Sequence, residues 1–87
     1  MKPAELIRFA KETVGEVTGF KAENVTGLEQ DGDGTWVITI EVLELERVPS
    51  TMDVIGTYEI GLDKDGELQG LRRMRRYPRG ASQDRED

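Results

Sequence analysis

The sequence predicts an α+β domain, an N-terminal helix packed on one face of a four-stranded antiparallel β-meander. Three observations carry that expectation. Apolar residues recur at helical spacing only near the N-terminus, alternating apolar runs follow, and two similar Asp/Gly turns separate those runs.

Residues 3–18 read as the helix. Leu6, Ile7, Ala10, Val14 and Val17 recur three and four apart, with Glu5, Arg8, Lys11, Glu12 and Glu16 elsewhere on the wheel. Pro3 suits the first turn, Gly19 suits the left-handed residue after the last, and Phe20 is placed to fold back on the helix end. One apolar stripe demands one covering surface, which a sheet provides.

Val25–Glu29 is the first and shortest strand expectation. Thr35–Glu46 is the second, with Trp36, Ile38, Ile40 and Val42 on one face and Val37, Thr39 and Glu41 on the other. After Val42 the apolar positions change parity to Leu43 and Leu45, which predicts a bulge, because one inserted residue exchanges the faces. Val54–Leu62 alternates Val54, Gly56, Tyr58, Ile60 and Leu62 against Ile55, Thr57 and Glu59; Glu67–Tyr77 is the last, carrying Leu68, Leu71 and Met74 among arginines. Asp31-Gly32-Asp33-Gly34 and Asp63-Lys64-Asp65-Gly66 offer residues that accept positive φ, as tight hairpins require, whereas Arg47–Met52 with Pro49 is a longer connection. The domain is expected over residues 1–78, with 79–87 a disordered polar tail.

Composition excludes several function classes. The chain has 87 residues, no cysteine and no histidine, so disulfides, thiolate metal sites and the commonest proton shuttle near neutral pH are absent. No apolar run reaches the roughly 18 residues of a membrane span, and the start lacks the apolar centre of a signal peptide, so a soluble cytoplasmic protein without membrane contact is expected. The net charge of −6 divides unevenly, residues 1–71 holding 15 acids against 6 bases and residues 72–87 holding 3 against 6. An acidic body opposes general polyanion binding, although the basic end can act locally.

Aligning Gly34 with the glycine of a calcium loop puts Ile40 where the bidentate glutamate belongs, so Asp31 and Asp33 are assigned to the turn. Glu44 with Glu46, or Glu41 with Asp53, would form acid/base pairs only in a pocket that separates their pKa values, and a domain this small has little room for one. No catalytic residue, cofactor or metal is expected. Arg72, Arg73, Arg75 and Arg76 with Tyr77 form the strongest surface feature, expected to project with Arg73, Arg75 and Tyr77 on one side and Arg72 and Arg76 on the other. Fork-shaped donors beside an aromatic suit a protein partner, internal pairing with Glu41, Glu44 and Glu59, or phosphate contacts on RNA. Either outer strand, Val25–Glu29 or Glu67–Tyr77, could pair with a second copy, or its charges could prevent that, leaving a monomer or a weak homodimer.

The element Glu44-x-x-Arg47-x-Pro49, then Asp53-Val54-x-Gly56-x-Tyr58-Glu59-Ile60-x-Leu62-Asp63 with Gly66, then Arg72-x-x-Arg75-Arg76-Tyr77, resembles the GvpO family of gas vesicle proteins. The resemblance implies a non-enzymatic accessory protein of gas vesicle formation, working in the cytoplasm through contacts with other gas vesicle proteins, with a part in expression as a further role. The candidate partner-binding residues are Glu44, Arg47, Pro49, Asp53, Arg72, Arg73, Arg75, Arg76 and Tyr77. The run Tyr58-Glu59-Ile60-x-Leu62-Asp63-x-x-Gly66 is also similar to small PepSY-like binding or inhibitory modules, and an RNA-binding accessory that uses the arginine strand is the other alternative.

Overall fold

Helix α1 spans Pro3–Thr18 and is followed by β1 (Lys21–Gln30), β2 (Trp36–Leu45), a short 3-10 turn (Ser50–Met52), β3 (Val54–Leu62) and β4 (Leu68–Pro78). The structure is a computed structural model and describes residues 2–81. All neighbouring strands are antiparallel, in the order β1-β2-β3-β4.

Local chemistry sets the element ends. Pro3 opens α1, the Glu5 carboxylate accepts the Lys2 N–H at 3.2 Å, and Gly19 closes the helix at φ 79° with its N–H donated to the Gly15 carbonyl. The two Asp/Gly turns are the same device used twice. Asp31 N–H donates to Thr35 O and Gly34 N–H to Asp31 O; Asp63 N–H donates to Glu67 O and Gly66 N–H to Asp63 O. The Asp33 carboxylate accepts the Thr35 N–H, and that of Asp63 accepts those of Asp65 and Glu67, so these acids stitch the turns.

The core lies between α1 and one sheet face. Leu6, Ala10 and Val14 meet Ile38, Ile40, Val42, Tyr58, Ile60 and Leu62, as the alternation of β2 and β3 predicts, while Phe20, Ala22, Val25, Leu28, Trp36 and Leu71 pack at its margin. Val17, placed on the helix stripe by its spacing, is instead exposed beyond the edge of the core.

One feature departs from the sequence expectation. β1 runs over ten residues, twice the stretch Val25–Glu29. Its apolar residues Ala22, Val25 and Leu28 stand three apart, which is not a strand period. Register shifts between Ala22 and Asn24 and between Val25 and Gly27 each absorb one residue, and so return all three to the helix side. Residues 79–81 form a further 3-10 turn, held because Arg79 donates its backbone N–H to the Asp53 carbonyl at 2.7 Å. The remainder of the expected tail, 82–87, lies outside the described residues.

Candidate functional site

The structure divides the candidate residues among three places, and two strand bulges decide the division. The first is the parity change after Val42. β2 pairs Leu43 with Ile55 and Leu45 with Val54, leaving Glu44 as the inserted residue. Its side chain is turned in and only 2% exposed. There Oε1 lies 2.9 Å from Arg76 Nε in an ion pair and accepts Arg73 Nη2 at 3.3 Å, while Oε2 accepts Arg73 Nε at 3.2 Å and the Tyr58 hydroxyl at 3.3 Å. The Arg73 guanidinium also sits over the Tyr58 ring, 5.9 Å from its centre. A buried carboxylate needs such partners, because an unpaired charge out of water is costly.

The second bulge is in β4, where Thr57 pairs with Arg75 and Tyr58 with Arg73, so Met74 is the inserted residue. It corrects the expected projection of the arginines. Arg73 and Arg76 share the side of the sheet that holds Glu44, whereas Arg72, Arg75 and Tyr77, opposite Glu59, Thr57 and Ile55, occupy the open side. A strict alternation over 72–77 fails because Met74 takes up one step without a partner.

On the open side, Arg72 bonds Glu59 at 3.1 Å, the Tyr77 hydroxyl donates to Glu41, and the Arg75 guanidinium stacks 4.7 Å from the centre of the Tyr77 ring. Internal pairing with Glu41, Glu44 and Glu59 is therefore real, and four arginines stand against three carboxylates. That near-balance leaves little positive field for a phosphate backbone. Arg75 has no carboxylate partner among the described residues. Where Gly61 faces Gly70, the missing side chains leave an open depression of about 400 Å³ beside Arg72 and Glu59.

The third place is the β2–β3 connection. Asp53 is buried, its Oδ1 accepts the Arg47 N–H at 2.8 Å, and its Oδ2 accepts Arg79 Nη2 at 3.1 Å, while the same Nη2 reaches Glu23 of β1 at 3.1 Å. Pro49, after a cis peptide bond, accepts the Met52 N–H. Thus Arg47, Pro49 and Asp53 shape one loop and do not join the arginine strand.

Sequence reasoning missed Arg79, Glu23 and the role of Gly56. A signal for Arg79 existed: β3 and β4 pair Val54 with Pro78, and one more step sets residue 79 against Asp53. Glu23 carried none, since it sits in a bulge that the alternation does not reveal.

Acid/base chemistry finds no support in these carboxylates. Glu44 is buried against two arginines, Glu46 is exposed in the loop, Glu41 accepts from Tyr77, and Asp53 from Arg79. No group of three or more metal-ligating side chains occurs among the described residues, and no helix there is long and apolar enough to cross a membrane.

Sequence comparison with known proteins shows the family of the chain. A family model described as "Gas vesicle synthesis protein GvpO" matches residues 1–83. Gas vesicle protein O of a Streptomyces species is 49% identical over 80 residues, covering 92% of this chain and 62% of that protein. Gas vesicle protein O of Haloferax mediterranei is 39% identical over 72 residues, covering 82% and 51%, and gas vesicle protein O1 of Halobacterium salinarum is 37% identical over 71, covering 82% and 59%. The chain thus spans between half and two thirds of the length of these relatives. No solved structure matches it at a significant level.

Proposed function

Because the chain belongs to the GvpO family of gas vesicle synthesis proteins, we propose that it is a non-enzymatic accessory protein that assists gas vesicle assembly in the cytoplasm by binding another gas vesicle protein through β4. The observation that carries this reading is the presentation of the arginines. Glu44 holds Arg73 and Arg76 from beneath, yet their side chains stay 45% and 50% exposed, with guanidinium N–H groups left over for a partner. On the other side Arg72 is 69% exposed and Arg75 is stacked on Tyr77 without a carboxylate. Side chains ordered before binding lose less entropy on it, and arginine with tyrosine is what protein interfaces enrich.

The test is a pull-down of co-expressed gas vesicle proteins by the parent and by Arg72→Glu/Arg75→Glu. Both positions lie on the open side and neither holds the buried Glu44, so the variant should fold. Loss of one partner is expected. Equal recovery by a folded variant would remove the open side of β4 from the interface.

A further inference from the structure

We propose that the β2–β3 loop is a self-association surface on which two copies pack about a two-fold axis, Val48 of each entering a hollow beside Met52 of the other. This surface meets β4 at Pro78 and includes none of its arginines.

Val48 is 99% exposed, well beyond any other large apolar residue described. Single exposed apolar residues are ordinary. This one stands on a loop that is firmly held. Arg47 N–H donates to Asp53 Oδ1, Met52 N–H to Pro49 O and Asp53 N–H to Ser50 O, while Arg79 locks Asp53 from the far side. The knob is therefore set before any partner arrives, which lowers the entropic cost of docking it.

Val48 also borders two hollows, one of about 370 Å³ lined by Arg47, Met52, Val54 and Pro78, and one of about 310 Å³ lined by Glu46, Arg47, Ser50 and Asp53. A knob beside a hollow on one surface is what a two-fold contact requires, since each copy must offer both halves. Met52 is 53% exposed at the first hollow and adds apolar area to be covered.

Charge selects a second copy as the occupant. Glu46 and Arg47 are adjacent and opposite in sign, and neither side chain has an ion-pair partner among the described residues. A two-fold axis exchanges them, bringing Glu46 of one copy to Arg47 of the other. The rival self-contact, β4 against β4, opposes arginines with arginines. The patch is small, so the dimer is weak and concentration-dependent.

Sedimentation velocity from micromolar to millimolar chain tests this. The parent should dimerise as concentration rises, and Val48→Asp should weaken association about tenfold or more. Val48 packs on nothing in the monomer, so that variant keeps its fold. Glu46→Arg and Arg47→Glu should each weaken association to a similar extent, by setting like charges together, and the double reversal should restore it. A parent that is monomeric throughout, a dimer indifferent to Val48→Asp, or a double reversal that fails to rescue would overturn the proposal. Loss of a different gas vesicle protein by Val48→Asp from a strictly monomeric parent would overturn it too, and would assign the loop to that protein.

Discussion

Glu44 and Gly56 compete for one volume: a Cβ on residue 56 would lie 2.0 Å from Glu44 Oε2. The absence of a side chain on β3 is what lets the bulged glutamate lie flat against the strand and reach Arg73, Arg76 and Tyr58. Gly56→Ala should therefore expel the carboxylate and cost about 2–4 kcal/mol, more than the loss of glycine flexibility could explain. Urea denaturation checks it. In a Glu44→Ala background the same substitution should cost much less, because the two residues then no longer compete.

Glu44→Gln keeps the shape of the side chain and removes its charge. Both arginines are about half exposed, so water screens part of the loss, and a cost of about 1–3 kcal/mol is expected by denaturant titration. The same variant should release Arg73 and Arg76 from their fixed orientation and weaken partner recovery in the pull-down.

Thr57 faces the open side of the sheet yet is buried, and its Oγ1 has no hydrogen-bond partner. An unpartnered buried hydroxyl costs free energy that an apolar group of the same shape does not. Thr57→Val should raise stability by up to about 1 kcal/mol, read as a higher denaturation midpoint at unchanged slope.

Ending the chain after Pro78 would remove Arg79 and leave the buried Asp53 without its guanidinium. A loss of about 1–3 kcal/mol follows, and Arg79→Ala in the full chain should reproduce most of it. Equal melting temperatures for the three proteins would put the domain end at residue 78.

Asp33 titrates below the ordinary aspartate range, chiefly because its carboxylate accepts the Thr35 backbone N–H. A pKa lowered in the folded state contributes stability that is complete above the unfolded value and is lost as pH falls through the folded one. Asp33→Asn should flatten the acid limb of a melting-temperature profile below the ordinary aspartate pKa. Above that value it should leave the profile's slope unchanged.

The legible part of this protein was the part with contrast between apolar and polar residues. Trp36, Ile38, Ile40 and Val42 announce one face of β2, and the switch to Leu43 and Leu45 announces its bulge, because burial changes sides there. Met74 gave no such notice: it lies in a run of arginines where every position is polar or exposed, so a shifted register leaves the pattern unaltered. β1 failed for the opposite reason, since two bulges turned a strand into a three-residue apolar repeat.

By itself the sequence determined the helix, the meander, the hairpin turns and the inward face of β2 and β3, since these follow from periodicity and from residues that accept positive φ. It also supplied the motifs that resemble GvpO. Only the tertiary structure decided which arginines meet Glu44, why residue 56 is glycine, and that Arg79 closes the fold on Asp53. Those contacts, together with that of Arg79 on Glu23, join residues up to 56 positions apart, and their geometry depends on where single bulges fall. A bulge shifts every later side chain by one step, which composition and spacing do not record where polarity is uniform.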